Sequence, residues 1–435
     1  MCPSYSFLIK MEIDYQDPAT SSEIEESFSA LSLNSSLIDL THLQNSITQL
    51  FSGFPGEELI GVISIRKILS IPANPPIQEV IDTGIVPNLI KMSYQRPVKF
   101  AYEVCWILCN IGSGDSQHTR YLVELGVLEF FSDILKSNLD SNELKDQIVW
   151  AVGNISGDCI EFRNLVNNSK IFHQVLNHSY EILTNNHEKF IANCMWALAN
   201  FVRGKPLAHS SVIKVVNKCL LKALIFVNDS DVLIDISLGL SYTAASKEIL
   251  SNIKEKHLIR LLNLVNWQEV KLLKLAIRII GNFISIASDS WELLKPLGML
   301  ETLLKLLSHP KMSVRKDIYW ALSNLCSESN EVVCYLLNLG GYNTFLENIE
   351  SEDSNVIGEI IWVVSNSFDS ADCDSIKALF EIGWFHKLLE LLRKKVDLKQ
   401  KTVIIKVIKI IFKKCPDLLD CKLKEEIRKI SNFAS

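Results

Sequence analysis

The first 50 residues contain one lysine, Lys10, and no arginine. No apolar run in the chain approaches the roughly 18 residues needed to cross a bilayer, and no secretory leader precedes the polar, acidic start, so membrane insertion is not expected. Eleven cysteines are scattered without an even framework spacing. Cys105 and Cys109 stand four apart on an apolar stretch, the pattern of reduced core thiols in a cytosolic or nuclear protein. The nine histidines form no H-x-x-x-H or Cys-x-x-Cys/His set, which excludes the usual metal centres. There is no G-x-S-x-G, no phosphate-cradling glycine loop and no carboxylate pair in a turn, so neither an enzyme nor a cofactor is expected. A net charge of −6 disfavours binding along a nucleic acid backbone and suits a basic partner.

What the chain does have is a beat. Tryptophan precedes asparagine by four residues at Trp106/Asn110, Trp150/Asn154, Trp196/Asn200, Trp320/Asn324 and Trp362/Asn366. Residues four apart share a helix face, so each pair presents an indole beside a carboxamide. The asparagines at 110, 154, 200, 282, 324 and 366 lie 44, 46, 82, 42 and 42 apart, and 82 is about two periods of a two- or three-helix repeat. The missing beat falls near Tyr242, with Leu238 where a tryptophan would stand, and the beat at Asn282 carries Arg278 instead of tryptophan. A second phrase follows the beats: a short amphipathic helix ends at Gly84, Gly126, Gly298, Gly340 or Gly383 and a further apolar helix begins. Glycine closes a helix in the left-handed conformation at little steric cost, so each phrase predicts helix, bend, helix. With the Trp/Asn helix, each repeat has three helices. Nearly half the residues are apolar (48%), enough for a continuous core along one stacked solenoid rather than several separate domains. Residues 1–37 read as a disordered Ser-rich acidic segment, 38–410 as about eight repeats with a C-terminal cap, and 411–435 as a C-terminal helix.

A tryptophan at helical spacing is by itself a core residue as readily as a pocket wall, but five at one phase, each beside an asparagine, point to a shared groove. Asparagine has both donors and acceptors, so a row of them can hold the main chain of an extended peptide whatever its side chains. Parallel indoles form slots for the methylene stems of lysine or arginine, with cation–π attraction of about 0.5 to 2 kcal/mol each. Acids set the sign: Asp158 at one end, and Asp235, Asp317 and Glu359, each three residues before its marker position. Alone, Asp158 would equally be a helix-end turn residue or a cap. The combination predicts a groove for an extended, lysine-rich segment.

These residues resemble importin-α, the armadillo-repeat adaptor family that binds basic nuclear localisation signals. The resemblance covers residues 38 to about 410 and rests on WAVGNISGD, WALANFVRGK, the tyrosine-bearing LSY, the arginine-bearing RIIGN, then WALSN and WVVSN. It implies an all-α fold, a right-handed superhelical solenoid of eight or nine armadillo-type repeats. It implies a major peptide site at Trp106, Asn110, Gln147, Trp150, Asn154, Asn193, Trp196 and Asn200, with Arg203 following. A lysine pocket is implied at Gly114, Thr119 and Asp158, where a carbonyl, a hydroxyl and a carboxylate can meet the three donors of one ammonium. The minor site is implied at Arg278, Asp317, Trp320, Asn324, Glu359, Trp362 and Asn366, although Arg278 could equally pair with a neighbouring acid.

The implied function is nuclear import of proteins carrying lysine-rich signals, with passage between cytoplasm and nucleus. Importin-β stays among the implied partners without an evident copy of the basic segment that usually binds it, and the mixed-charge end, KCPDLLDCKLKEEIRKISNFAS, does not match the family's acidic export tail. The alternative reading is an armadillo scaffold that holds a basic peptide partner without transporting it.

Overall fold

The computed structural model describes residues 40–419, apart from 138–140, 186, 251, 288 and 394–396, and also residues 421, 423, 425 and 427. The segment expected to be disordered, 1–37, lies outside the described residues, as do residues 420, 422, 424, 426 and 428–435 of the helix expected over 411–435. Among the described residues there are helices and turns and no strand. The chain divides into two compact units, residues 1–208 and 209–435.

In the first unit, α1 (Leu40–Leu50) and α2 (Pro55–Leu69) are followed by α3 (Ile77–Asp82), α4 (Val86–Ser93) and α5 (Val98–Gly112). Next come α6 (Ser116–Glu124), α7 (Val127–Lys136) and α8 (Asn142–Asp158), then α9 (Ile160–Asn167), α10 (Lys170–Asn185) and α11 (Glu188–Phe201). The second unit opens with one long helix, α12 (Ser210–Phe226), before α13 (Ser230–Thr243), α14 (Glu255–Val265) and α15 (Val270–Ile286). It continues with α16 (Ser290–Leu294), α17 (Met299–Lys305), α18 (Met312–Cys326), α19 (Asn330–Asn338), α20 (Gly341–Asn348) and α21 (Ser354–Ser370). It closes with α22 (Cys373–Ile382), α23 (Trp384–Arg393) and α24 (Leu398–Lys414).

The bend glycines behave as their spacing predicts. Gly84, Gly126, Gly298, Gly340 and Gly383 have φ of 71°, 81°, 67°, 71° and 103°, the left-handed region in which a Cβ is disfavoured. Around α12 and α14 the phrase is absent, and a 3-10 turn at Lys247–Ile249 stands where other repeats place a helix.

The helices that carry the asparagines, together with α2, α13 and α24, form the spine of each unit: α2, α5, α8 and α11 pack in sequence in the first, and α13, α15, α18, α21 and α24 in the second. Their sequences explain both their boundaries and their burial. Ser141 caps α8 by accepting the Leu144 N–H at 3.2 Å, and Asp353 caps α21 by accepting the Asn355 and Val356 N–H groups at 2.9 and 3.3 Å. Such caps satisfy donors that have no partner within the helix. In α8, Leu144, Ile148, Val152 and Ile155 recur at steps of four, four and three and are buried, each contributing on the order of 1.5–3 kcal/mol through burial. A spine helix has neighbours on both sides, so α5 is buried almost all round, including the polar Glu103 and Asn110.

Candidate functional site

The asparagine row turns out to be a seam. In the first unit, Asn154 Nδ2 donates to the Cys109 carbonyl at 3.2 Å, and Asn200 Nδ2 to the Gly153 carbonyl at 3.2 Å. In the second, Asn324 Nδ2 donates to the Gly281 carbonyl at 3.1 Å and Asn366 Nδ2 to the Ser323 carbonyl at 2.9 Å. The acceptor is each time the residue just before the preceding beat's asparagine, so one rule ties neighbouring spine helices. Asn110, with no earlier asparagine, donates to Ser70 Oγ at 3.0 Å. A carboxamide has two N–H donors and an oxygen with two lone pairs. One N–H is committed to the seam, and the oxygens of Asn154, Asn200, Asn324 and Asn366 have no hydrogen-bond partner among the described residues.

The indoles are set by what lies opposite them. A Cβ on Gly153 would come within 2.3 Å of Trp196 Cζ3, and one on Gly281 within 2.4 Å of Trp320 Cζ3. Both glycines therefore leave the room into which the edge of the next indole tucks. The residue at the same place before Trp362 is Ser323, and Trp362 stands 44% exposed. Trp150, Trp196 and Trp320 are half-buried. Trp106 is nearly covered: the Arg66 guanidinium lies 4.4 Å from its ring centroid and bonds Glu103 at 2.9 Å, while Tyr102 meets it edge-on at 5.8 Å. The slot at Trp106 thus already holds a cation from α2, a contact between residues 40 apart that no local pattern announces.

Asp158 ends α8. Its Oδ1 accepts from Ser116 Oγ at 2.8 Å, and its Oδ2 is buried with no partner among the described residues. Thr119 is fully buried, and its hydroxyl turns to the Asp115 carbonyl at 3.4 Å, so Ser116 is the hydroxyl on this acid. Gly114 is exposed, and a Cβ there would meet His118 Nδ1 at 2.4 Å. Asn193 donates to Asp146 Oδ2 at 2.8 Å, deep in α8; burial pushes the Asp146 carboxyl up to about 7, against the Asn193 bond that favours its charged form. Gln147 beside it is buried, with Nε2 unpartnered among the described residues. The Arg203 carbonyl accepts Arg163 Nη1 at 2.6 Å, anchoring the turn after α11.

In the second unit Arg278 stands beside an acid. Its Nε lies 3.3 Å from Asp317 Oδ2, and Lys274 Nζ lies 3.7 Å from the same oxygen, so the acid is shared by two cations of α15. Glu359 is half-buried, and burial raises its carboxyl above the ordinary range, with Asp317 adding to the rise and Lys316 opposing it. Burial likewise pushes Asp235 up to about 7, opposed by Lys271. The structure therefore brings Trp106 to Asn200 together along the first unit's spine and Arg278 to Asn366 along the second's. Sequence reasoning missed Ser116, Arg66 and the glycines at 153 and 281; the fixed position of both glycines just before the asparagine was a usable signal.

A family model described as Armadillo/beta-catenin-like repeat matches residues 297–327. Importin subunit alpha-1b of Oryza sativa subsp. japonica is 33% identical over 269 residues, 60% of this chain and 49% of that protein. Importin subunit alpha-6 of Arabidopsis thaliana is 34% identical over 52% of this chain and 41% of its own length. The chain thus spans about half the length of the curated relatives it matches. The crystal structure of an engineered protein superposes with a TM-score of 0.65 over 85% of this chain and 98% of that one, at 20% identity, a likeness of fold alone.

Proposed function

We propose, for a chain that is importin-α-like in sequence and armadillo-repeat in fold, the role of a nuclear import adaptor that binds lysine-rich signals along the Trp/Asn faces of its spine helices. It acts as an adaptor and not as a catalyst, with signal-bearing proteins as cargo, importin-β as transport partner, and cytoplasm and nucleus as its places of work. The observation that carries the reading is Asp158, whose Oδ2 is buried and unpartnered among the described residues beside Ser116. A buried carboxylate oxygen without a donor is costly, and an ammonium brings the missing donor together with the opposite charge. Trp150 and Trp196 supply slots for the lysine stems, and the free oxygens of Asn154 and Asn200 accept peptide N–H groups.

Titration of the full chain with a lysine-rich peptide tests this. Asp158→Lys should lower affinity by roughly 30-fold or more, the cost of removing one partner of a buried, hydrogen-bonded charge pair. Glu161→Lys serves as the control: Glu161 is exposed and pairs with exposed Arg120 at 2.9 Å, an arrangement of little energetic weight. Equal, mild effects of the two changes would end the reading.

A further inference from the structure

The second unit holds a cleft of about 510 Å³ with the wrong sign for a lysine. Lys271, Lys274, Arg278 and Lys311 line it, together with Ser313 and Leu238. Lys274 and Arg278 share the single carboxylate of Asp317. Lys271 and Lys311 have no acid within ion-pair distance among the described residues. Glu269, the one acid in the lining, is turned to the backbone: its Oε1 caps α15 by accepting the Lys271 N–H at 3.0 Å. A second feature points the same way. The N-cap residue of α18, a helix of 15 residues, is Lys311, and no side chain caps it; the Val314 N–H bonds the Lys311 carbonyl at 3.0 Å, which leaves the Met312 and Ser313 N–H groups, at the positive dipole end, without an acceptor among the described residues. Ser313 makes no hydrogen bond through its hydroxyl among the described residues.

We propose that this cleft binds an anionic side chain, a carboxylate or a phosphoserine, of the same extended peptide whose basic residues meet Glu359, Trp320 and Trp362. The second unit then reads mixed charge, lysine at one end and acid at the other, whereas the first unit reads lysine alone. This deepens the adaptor reading and rests on it for the peptide's course. Leu238 is part of the reason: an indole there would offer a cation slot, while a leucine in the lining leaves the lysines and the helix end to set the preference.

The test uses the full chain and six labelled peptides: a lysine-rich peptide, the same peptide with three glutamates added at either end, the same with two phosphoserines added at either end, and a phosphoserine peptide without lysines. Lys271 and Lys311 are exposed, so Lys271→Glu/Lys311→Glu should leave the melting temperature unchanged. In the native chain, at low salt, one of the two orders should bind about fivefold to tenfold more tightly than the lysine-rich peptide, because several weak ion pairs act together. The double variant should lose that gain. Comparison of the glutamate and phosphoserine arms assigns the anion. If every acidic extension weakens binding, or the gain survives the double variant, the cleft is not an anion site. Should the lysine-rich peptide fail to bind at all, the adaptor reading falls. The cleft would then still stand if a phosphoserine peptide without lysines bound the native chain and not the double variant, and fall if it bound neither.

Discussion

An asparagine inside an apolar helix is a poor helix former and a poor core residue, and the seam explains its place here. The amide of Asn154 is bound to the Cys109 carbonyl on one side and open on the other, so in the proposed role one side chain would serve packing and recognition together. Asn154→Ala should therefore do two things. It should lower stability by about 1 kcal/mol in urea unfolding, the usual net value of one intramolecular hydrogen bond, and weaken every lysine-rich peptide by a similar factor, since the lost contact is to main chain. A loss confined to one peptide sequence would contradict the main-chain role, and unchanged stability would contradict the seam. At this scale the sequence showed which residues recur but not what each touches. Ser116 on Asp158 and Arg66 on Trp106 are contacts between residues 42 and 40 apart, and they depend on how one helix is rotated against the next.

Elements were more legible, because helix ends are written locally. The left-handed glycines at 84, 126, 298, 340 and 383 carry the bends at the positions their spacing indicates, and the missing beat near Tyr242 coincides with the stretch where α12 and a 3-10 turn replace the usual pair of helices. Illegible from pattern was the closeness of the spine helices at Gly153 and Gly281, where one hydrogen stands in place of a methyl group. Gly281→Ala, with its added carbon 2.4 Å from Trp320 Cζ3, should destabilise by about 1–3 kcal/mol, the range for overpacking. It should also shift the tryptophan emission as the indole is pushed toward water. Gly56, where an added methyl would have nothing within 4 Å and φ is ordinary, is the control position for the same substitution, and an equal effect at both would refute the tuck.

For the molecule as a whole, the expected all-helical armadillo fold is the one observed among the described residues, while the charge around the proposed peptide face was only half legible. Counting acids near the beats indicated Asp317 and Glu359 but not the four cations around the cleft, because lysines on a helix read as solvated until their neighbours are known. Buried ionisable groups set the pH response. Burial holds the Asp146 carboxyl at about 7 in the folded chain against an ordinary value of 3.8. The folded state therefore keeps a proton that the unfolded state releases, and stability contributed below the lower value is lost as pH climbs toward the higher one. His178, buried and lowered to about 4, has the opposite slope below its ordinary value, so Asp146 is read as a difference. The stability of Asp146→Asn relative to the parent should rise by about 1.4 kcal/mol per pH unit between about pH 5 and 7 and level off above, measured by urea unfolding at a series of pH values. A flat difference would remove Asp146 from the account. The seam carries one more consequence. A peptide that donates to the free oxygens of two successive amides, such as Asn324 and Asn366, would fasten two spine helices at the separation their own bonds already favour. Such a peptide would be a splint: it would stiffen the repeats it lies across, so that its release and the loosening of the stack would become one mechanical event.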